Sequence, residues 1–210
     1  MKKVFALVIA LLVFLAGCTQ TAQPKATPSD SDNTAAIESS SKAASVEDPD
    51  FRKAKWGMTK EQVKALEDAK PAYEEASGLL YTNQTVAGLP ATVIYNFNND
   101  ALAWGGYRID TVHTNKNLYI DDYNNLKEKL TSIYGDPYID EVTWDNDLFK
   151  DDPANYGLSV SIGYTSYIAS WKTSRTVIIL ALNGDNYEVR LTLFYYSPDH
   201  QTSTSNTDGL

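Results

Sequence analysis

The chain has 210 residues, 43% of them hydrophobic, with 27 Asp and Glu against 18 Lys and Arg, a net charge of −9. That acidity leaves no basic footprint for a nucleic acid, while the hydrophobic fraction suffices for a core. One cysteine and two histidines exclude internal disulfides, zinc–thiolate sites and multi-histidine metal centres.

Lys2 and Lys3 open the chain, and Val4 to Ala16 then runs without a charge. Thirteen helical residues would span about 20 Å, short of the ~30 Å hydrocarbon core, so the run reads as a signal h-region and not as a permanent span. The lone cysteine, Cys18, follows directly after Leu15-Ala16-Gly17. This stretch resembles the lipobox of bacterial lipoproteins. The resemblance implies that residues 1–17 are removed and that Cys18, thioether-linked to a diacylglycerol, becomes the anchored N-terminus. Lipidation consumes the only thiol, so no cysteine nucleophile is expected, and several acyl chains on one residue hold where a single chain anchors marginally.

Residues 18–50 are Ser, Thr, Ala, Pro, Asp and Lys with few large apolar side chains. Such a segment cannot bury enough surface to offset its ordering entropy and is expected to be a disordered tether. Residues 199–210 have a similar composition and are expected to be a disordered tail. Residues 51–198 then form one domain, holding all four Trp and all fourteen Tyr.

Within it, Thr59 and Gln62 have capping-box spacing, and Pro71 ends the helix they start, giving a first helix over 59–69. Strands are expected at 79–83, at 91–98, where apolar and polar residues alternate, and at 102–112, with Asn98-Asn99-Asp100 as a turn. Gly105-Gly106 inside the third strand signals a bulge or a close backbone approach. Ile120, Tyr123, Leu126, Leu130, Ile133 and Tyr134 recur at helical spacing, and Gly135 and Pro137 stop that second helix. Further strands are expected at 142–144, 158–164, 167–172, 175–182 and 187–195, with Asn183-Gly184-Asp185 as a hairpin turn. The order predicts an α+β fold, an antiparallel sheet with two helices packed on one face, built from two α-βββ pseudo-repeats.

Phe51-Arg52-x-x-x-Trp56-Gly57-Met58-Thr59-x-Glu61-x-Val63 resembles the W-G-M-[ST]-x-E-x-V opening of small bacterial lipoproteins of unknown role. Their wider grouping takes in outer-membrane-assembly lipoproteins and β-lactamase-inhibitor-like domains, and Tyr134-Gly135-Asp136-Pro137 is similar to the G-x-P that follows their helices. The resemblance implies repeated helix-plus-sheet units, and it assigns no catalytic residue.

Groups with reactive chemistry are sparse. His113 lies near a strand end and His200 in the tail, too few for a histidine-based triad. Asp145-Asn146-Asp147 with Asp151-Asp152 is an acidic loop without the glycine and terminal glutamate of a calcium loop, so no metal is assigned. Tyr156, Tyr164, Tyr167 and Trp171 form a dense aromatic stretch, read either as core or as a binding face for a sugar or a protein. These features favour a non-catalytic, lipid-anchored binding module on the extracytoplasmic face of a bacterial membrane. It needs no cofactor, and its partner is an envelope protein or a cell-wall polymer. An envelope hydrolase acting on wall components is the alternative.

Overall fold

The structure, a computed structural model, describes residues 48–198. The signal segment 1–17, Cys18, most of the tether and the 199–210 tail lie outside the described residues.

Thr59 caps helix α1 (Lys60–Leu66) with the expected reciprocal bonds, its side chain accepting from the Gln62 N–H and the Gln62 side chain accepting from the Thr59 N–H. A strand the sequence reading missed, β1 (Tyr73–Glu75), follows. Then come β2 (Gly78–Val86), β3 (Leu89–Asn98), β4 (Ala101–Ile109) and helix α2 (Leu118–Tyr134). The second half continues with β5 (Ile139–Trp144), helix α3 (Tyr156–Ser161), β6 (Thr165–Lys172), β7 (Val177–Asp185) and β8 (Glu188–Tyr196).

The eight strands form one antiparallel sheet in the order β1-β2-β3-β4-β8-β7-β6-β5. Each half is a helix followed by four strands, and the halves meet where β4 pairs with β8. The halves repeat in their spacing: β4 and β8 start at 101 and 188 and end at 109 and 196, a shift of 87 residues. The same shift carries the β3–β4 turn at Asn99 and Asp100 onto the β7–β8 turn at Asn186 and Tyr187, and all four residues have positive φ. Two such residues make a hairpin turn whose twist matches that of the strands. The expected pseudo-repeat is therefore present, with a fourth strand in each unit.

Two expectations are corrected. Residues 158–164 do not form a strand, because 156–161 is helix α3. The alternation of Leu158, Val160 and Ile162 with serines suggested a strand, yet Gly157, Ser159 and Ser161 are themselves buried. Their polar atoms are satisfied locally: Ser161 Oγ donates to the Leu158 carbonyl, and Ser159 Oγ lies 2.6 Å from Thr165 Oγ1. The Asn183-Gly184-Asp185 signal does not turn the chain either, since β7 runs through it. Gly184 is there for a close approach, because a Cβ at this position would sit 2.5 Å from the Val160 carbonyl oxygen.

Strand alternation sends one set of side chains to the helices and the other to an uncovered face. On the helix side the core has two lobes. Val63 of α1 packs with Leu79, Tyr81, Val93, Tyr95 and Leu102, while Tyr123, Leu126 and Leu130 of α2 pack over Trp171, Ile178, Leu180, Leu182, Leu191 and Leu193. Tyr107 and Tyr195 touch both lobes.

Candidate functional site

The motif at the start of the domain is structural. Phe51, 2% exposed, sits between the lobes with its ring 5.3 Å from Tyr95, 5.3 Å from Tyr107 and 5.2 Å from Tyr195. Asp50 accepts from Arg175 Nε at 2.9 Å and Nη2 at 2.8 Å, and from the Trp56 N–H at 2.9 Å. Trp56 Nε1 donates to the Arg175 carbonyl at 2.9 Å. Arg52 makes a two-pronged pair with Glu67, 2.9 Å on each arm, and Tyr95 donates its hydroxyl to the same carboxylate. Residues 50–56 thus strap the first unit to the second. Asp50, assigned to the tether on composition, belongs to the folded part.

Burial shifts several tyrosines beneath this strap. Desolvation pushes the Tyr95 phenol well above its usual range, and the bond to Glu67 adds to it. Desolvation does the same to Tyr107, opposed by Arg52, and to Tyr195. These phenols are neutral structural groups at any physiological pH.

The aromatic stretch does not assemble into one face. Trp171 is 1% exposed and donates Nε1 to the Gly135 carbonyl at 2.9 Å, so it belongs to the core under the end of α2. Tyr167 is half-buried, its ring 5.5 Å from Tyr123. Tyr156 packs its ring 5.1 Å from Trp144 and donates its hydroxyl to the Lys150 carbonyl. Tyr164 is half-buried and holds the loop before α3 through its carbonyl, which accepts from the Asp145 N–H at 2.8 Å. Alternation along β6 explains the split, because Tyr167, Ala169 and Trp171 all point to the helices.

His113 Nε2 lies 2.7 Å from Asp122 Oδ2, and the His113 N–H donates to the Tyr119 hydroxyl. The pair ties the β4–α2 connection to the first turns of α2, and no serine, threonine or cysteine hydroxyl or thiol is bonded to the imidazole among the described residues. In the acidic loop, Asp147 pairs with Lys150 and Asp152 accepts from Asn155 Nδ2. Among the described residues no group of three or more His, Cys, Asp or Glu side chains is arranged to hold a metal ion.

The uncovered face of the sheet is where apolar surface accumulates without a covering element. One row of paired residues crosses all eight strands there: Tyr73, Leu80, Ile94, Gly106, Phe194, Ile179, Ser170 and Ile139. The adjoining row brings Trp104 beside Tyr196 and Val177, and the row on the other side brings Thr192 beside Ala181 and Ile168. Trp104 stands edge-on to Phe194 at 5.3 Å and 85°, and Tyr196 lies 6.1 Å from each. Trp104, Phe194, Tyr196, Ile94, Ile179 and Ile168 are all half-buried, though no helix covers them.

Gly105-Gly106 builds this ridge. A Cβ on Gly106 would lie 2.2 Å from Phe194 Cδ1, so the Phe194 ring rests on bare backbone at the seam between the units. A Cβ on Gly105 would lie 2.2 Å from Phe51 Cδ1 on the opposite face. Two adjacent glycines therefore seat two aromatic rings on the two sides of one strand. The glycine pair was legible as a close approach, but what approached was not. The ridge itself went unrecognised because its members are scattered over six strands and come together only through register.

No protein-family model, curated protein or solved structure matches this chain.

Proposed function

We propose that this protein is a non-catalytic binding module of the bacterial cell envelope, anchored to the extracytoplasmic face of a membrane through a lipid on Cys18 and gripping a partner with the open face of its sheet. The observation that carries the binding part is the ridge of Trp104, Phe194, Tyr196 and Ile179 at the seam of the sheet, apolar and uncovered. Aromatic side chains at the centre of a face, with polar residues around them, are the composition of a protein interface. The ridge suits a protein better than a sugar polymer. The polar member of its row, Ser170, already spends its hydroxyl near the Ile178 carbonyl and Tyr138, which leaves few groups to bond sugar hydroxyls. The anchoring part rests on the Leu15-Ala16-Gly17-Cys18 order and on the resemblance to the W-G-M-[ST]-x-E-x-V lipoproteins.

Crosslinking in intact cells tests the reading, comparing the wild-type chain with a Trp104→Ser, Phe194→Ser variant whose fold is verified by its melting curve. The expected result is an adduct present in the membrane fraction for the wild type and lost in the variant. An adduct that survives both substitutions would move the binding surface elsewhere. Cys18→Ala should release the protein from the membrane fraction, and unchanged fractionation would overturn the anchor.

A further inference from the structure

We propose that the partner of the open face is a protein whose docking surface is apolar at its centre and carries two acidic groups about 20 Å apart. The inference rests on the open face being a docking surface and concerns the chemistry of what docks.

The chain as a whole is acidic, at −9. On the open face of the four central strands, β4, β8, β7 and β6, the balance differs. The charged side chains that alternation places around the ridge there are Arg108, Arg190 and Lys172. The carboxylates of these strands, Asp185 and Glu188, pair with each other at the β7–β8 hairpin tip, three same-face rows or about 20 Å from Phe194. Arg108 is held by Asp110 and Thr92, so its charge is compensated. Arg190 and Lys172 are exposed and have no ion-pair partner among the described residues. Lys172 lies one row from Phe194 on one side of the ridge, and Arg190 lies two rows away on the other. Strand and row spacings put the two about 20 Å apart.

Size also points to a protein. Eight strands about 4.8 Å apart span roughly 34 Å, and three rows of side chains cover about 20 Å along the strands, so the face offers roughly 700 Å². A stable protein interface takes about 800 Å² from each partner. A second copy fits poorly. Face-to-face association would set one cationic, ridge-bearing face against another, and docking this face on the acidic remainder of a copy is a head-to-tail contact that propagates without closing. Unpaired cations beside an apolar centre favour approach of carboxylates and act mainly on association rate and its salt dependence.

The test places a photo-crosslinking residue at Ala181, a half-buried position within the ridge. It uses the full chain in its own membrane and identifies the linked peptide by mass spectrometry. The expected result is an adduct with a different protein, linked through a segment rich in Asp or Glu. Its yield should fall at least fivefold in an Arg190→Glu, Lys172→Glu variant and persist in Arg190→Lys. Both substitutions are at exposed positions, and a melting curve like that of the wild type separates loss of binding from loss of fold. An adduct indifferent to the charge reversal would overturn the acidic partner while leaving the ridge as a docking surface. An adduct with the chain's own peptides, or with lipid or glycan, would overturn the partner class. Absence of any adduct would overturn the docking surface together with the inference.

Discussion

Phe51→Ala combined with Gly105→Ala is the most demanding perturbation of this fold, because each residue has a stated reason to need the other. Phe51 is 2% exposed and meets three aromatic rings at 5.2–5.3 Å. Truncating a buried phenylalanine costs about 3–5 kcal/mol, and its place between the two lobes of the core leaves little that can collapse into the gap. We expect a loss of about 4 kcal/mol, a large share of the roughly 5–15 kcal/mol that holds a typical domain folded. At about 2–4 °C per kcal/mol for a domain of this size, the melting temperature should drop by about 8–16 °C. Gly105→Ala alone pushes a Cβ to 2.2 Å from the Phe51 ring and should cost about 1–3 kcal/mol as overpacking. In the Phe51→Ala background that clash is gone, so the second substitution should be close to neutral, a coupling of about 2 kcal/mol. Urea denaturation of the four proteins gives the cycle. Additivity within about 0.5 kcal/mol would refute the account of Gly105 as the seat of Phe51.

Other consequences are simpler. Asp50→Ala removes a buried carboxylate that accepts from Arg175 twice and from the Trp56 backbone; we expect a loss of about 2–3 kcal/mol, and a urea midpoint unchanged from wild type would refute the strap. The Tyr95 and Tyr123 phenols, each 1% exposed, are raised first of all by desolvation. A raised phenol contributes its full stability below its unfolded pKa near 10 and loses it above, at about 1.4 kcal/mol per pH unit for each group. Stability measured by denaturant titration should therefore fall steeply from pH 10 upward and less steeply in Tyr95→Phe, and equal slopes would contradict the assignment. Both free edges of the sheet carry paired acids, Glu74-Glu75 on β1 and Asp140-Glu141 on β5, a charge that blocks edge-to-edge pairing. Glu75→Val with Glu141→Val should produce concentration-dependent association in light scattering, and a monodisperse solution would count against that role.

Much of the architecture was legible because it is local. The capping box at Thr59 and Gln62, the stripe of Tyr123, Leu126 and Leu130, and the Asn99-Asp100 turn are each written in a few adjacent residues, and each is realised. What misled were small residues with two meanings. Ser159 and Ser161 read as the solvent side of a strand, but they are the buried side of a helix whose hydroxyls bond locally. Gly184 read as a turn, but it is the gap that lets α3 close on β7. β1 is three exposed residues with no apolar alternation, so its pairing to β2 leaves no trace in the sequence pattern. Trp171 illustrates the limit for the candidate site. Its aromatic character was evident, but which face of β6 it takes depends on register with β5 and β7, which a single sequence does not state.

Register also explains why the ridge sits at the seam. Within each unit the meander covers one face with its own helix and leaves the other bare, so neither unit alone gains anything from large apolar residues on the bare side. Pairing β4 with β8 changes that. Gly106 from the first unit supplies a flat backbone and Phe194 from the second supplies the ring that lies on it, while Trp104 and Tyr196, also one from each, close around the ring. The strap of residues 50–56 locks the same seam from the helix side through Phe51 over Gly105 and Asp50 on Arg175. The surface best suited to hold a partner therefore exists only in the joined molecule. A substitution that loosens the seam from beneath, such as Phe51→Ala, should weaken binding at the ridge without touching a residue of it. Crosslinking from Ala181 in that variant, below its melting temperature, would show it as a yield lower than that of the wild type, and an undiminished yield would mean that the ridge is set by β4 and β8 alone.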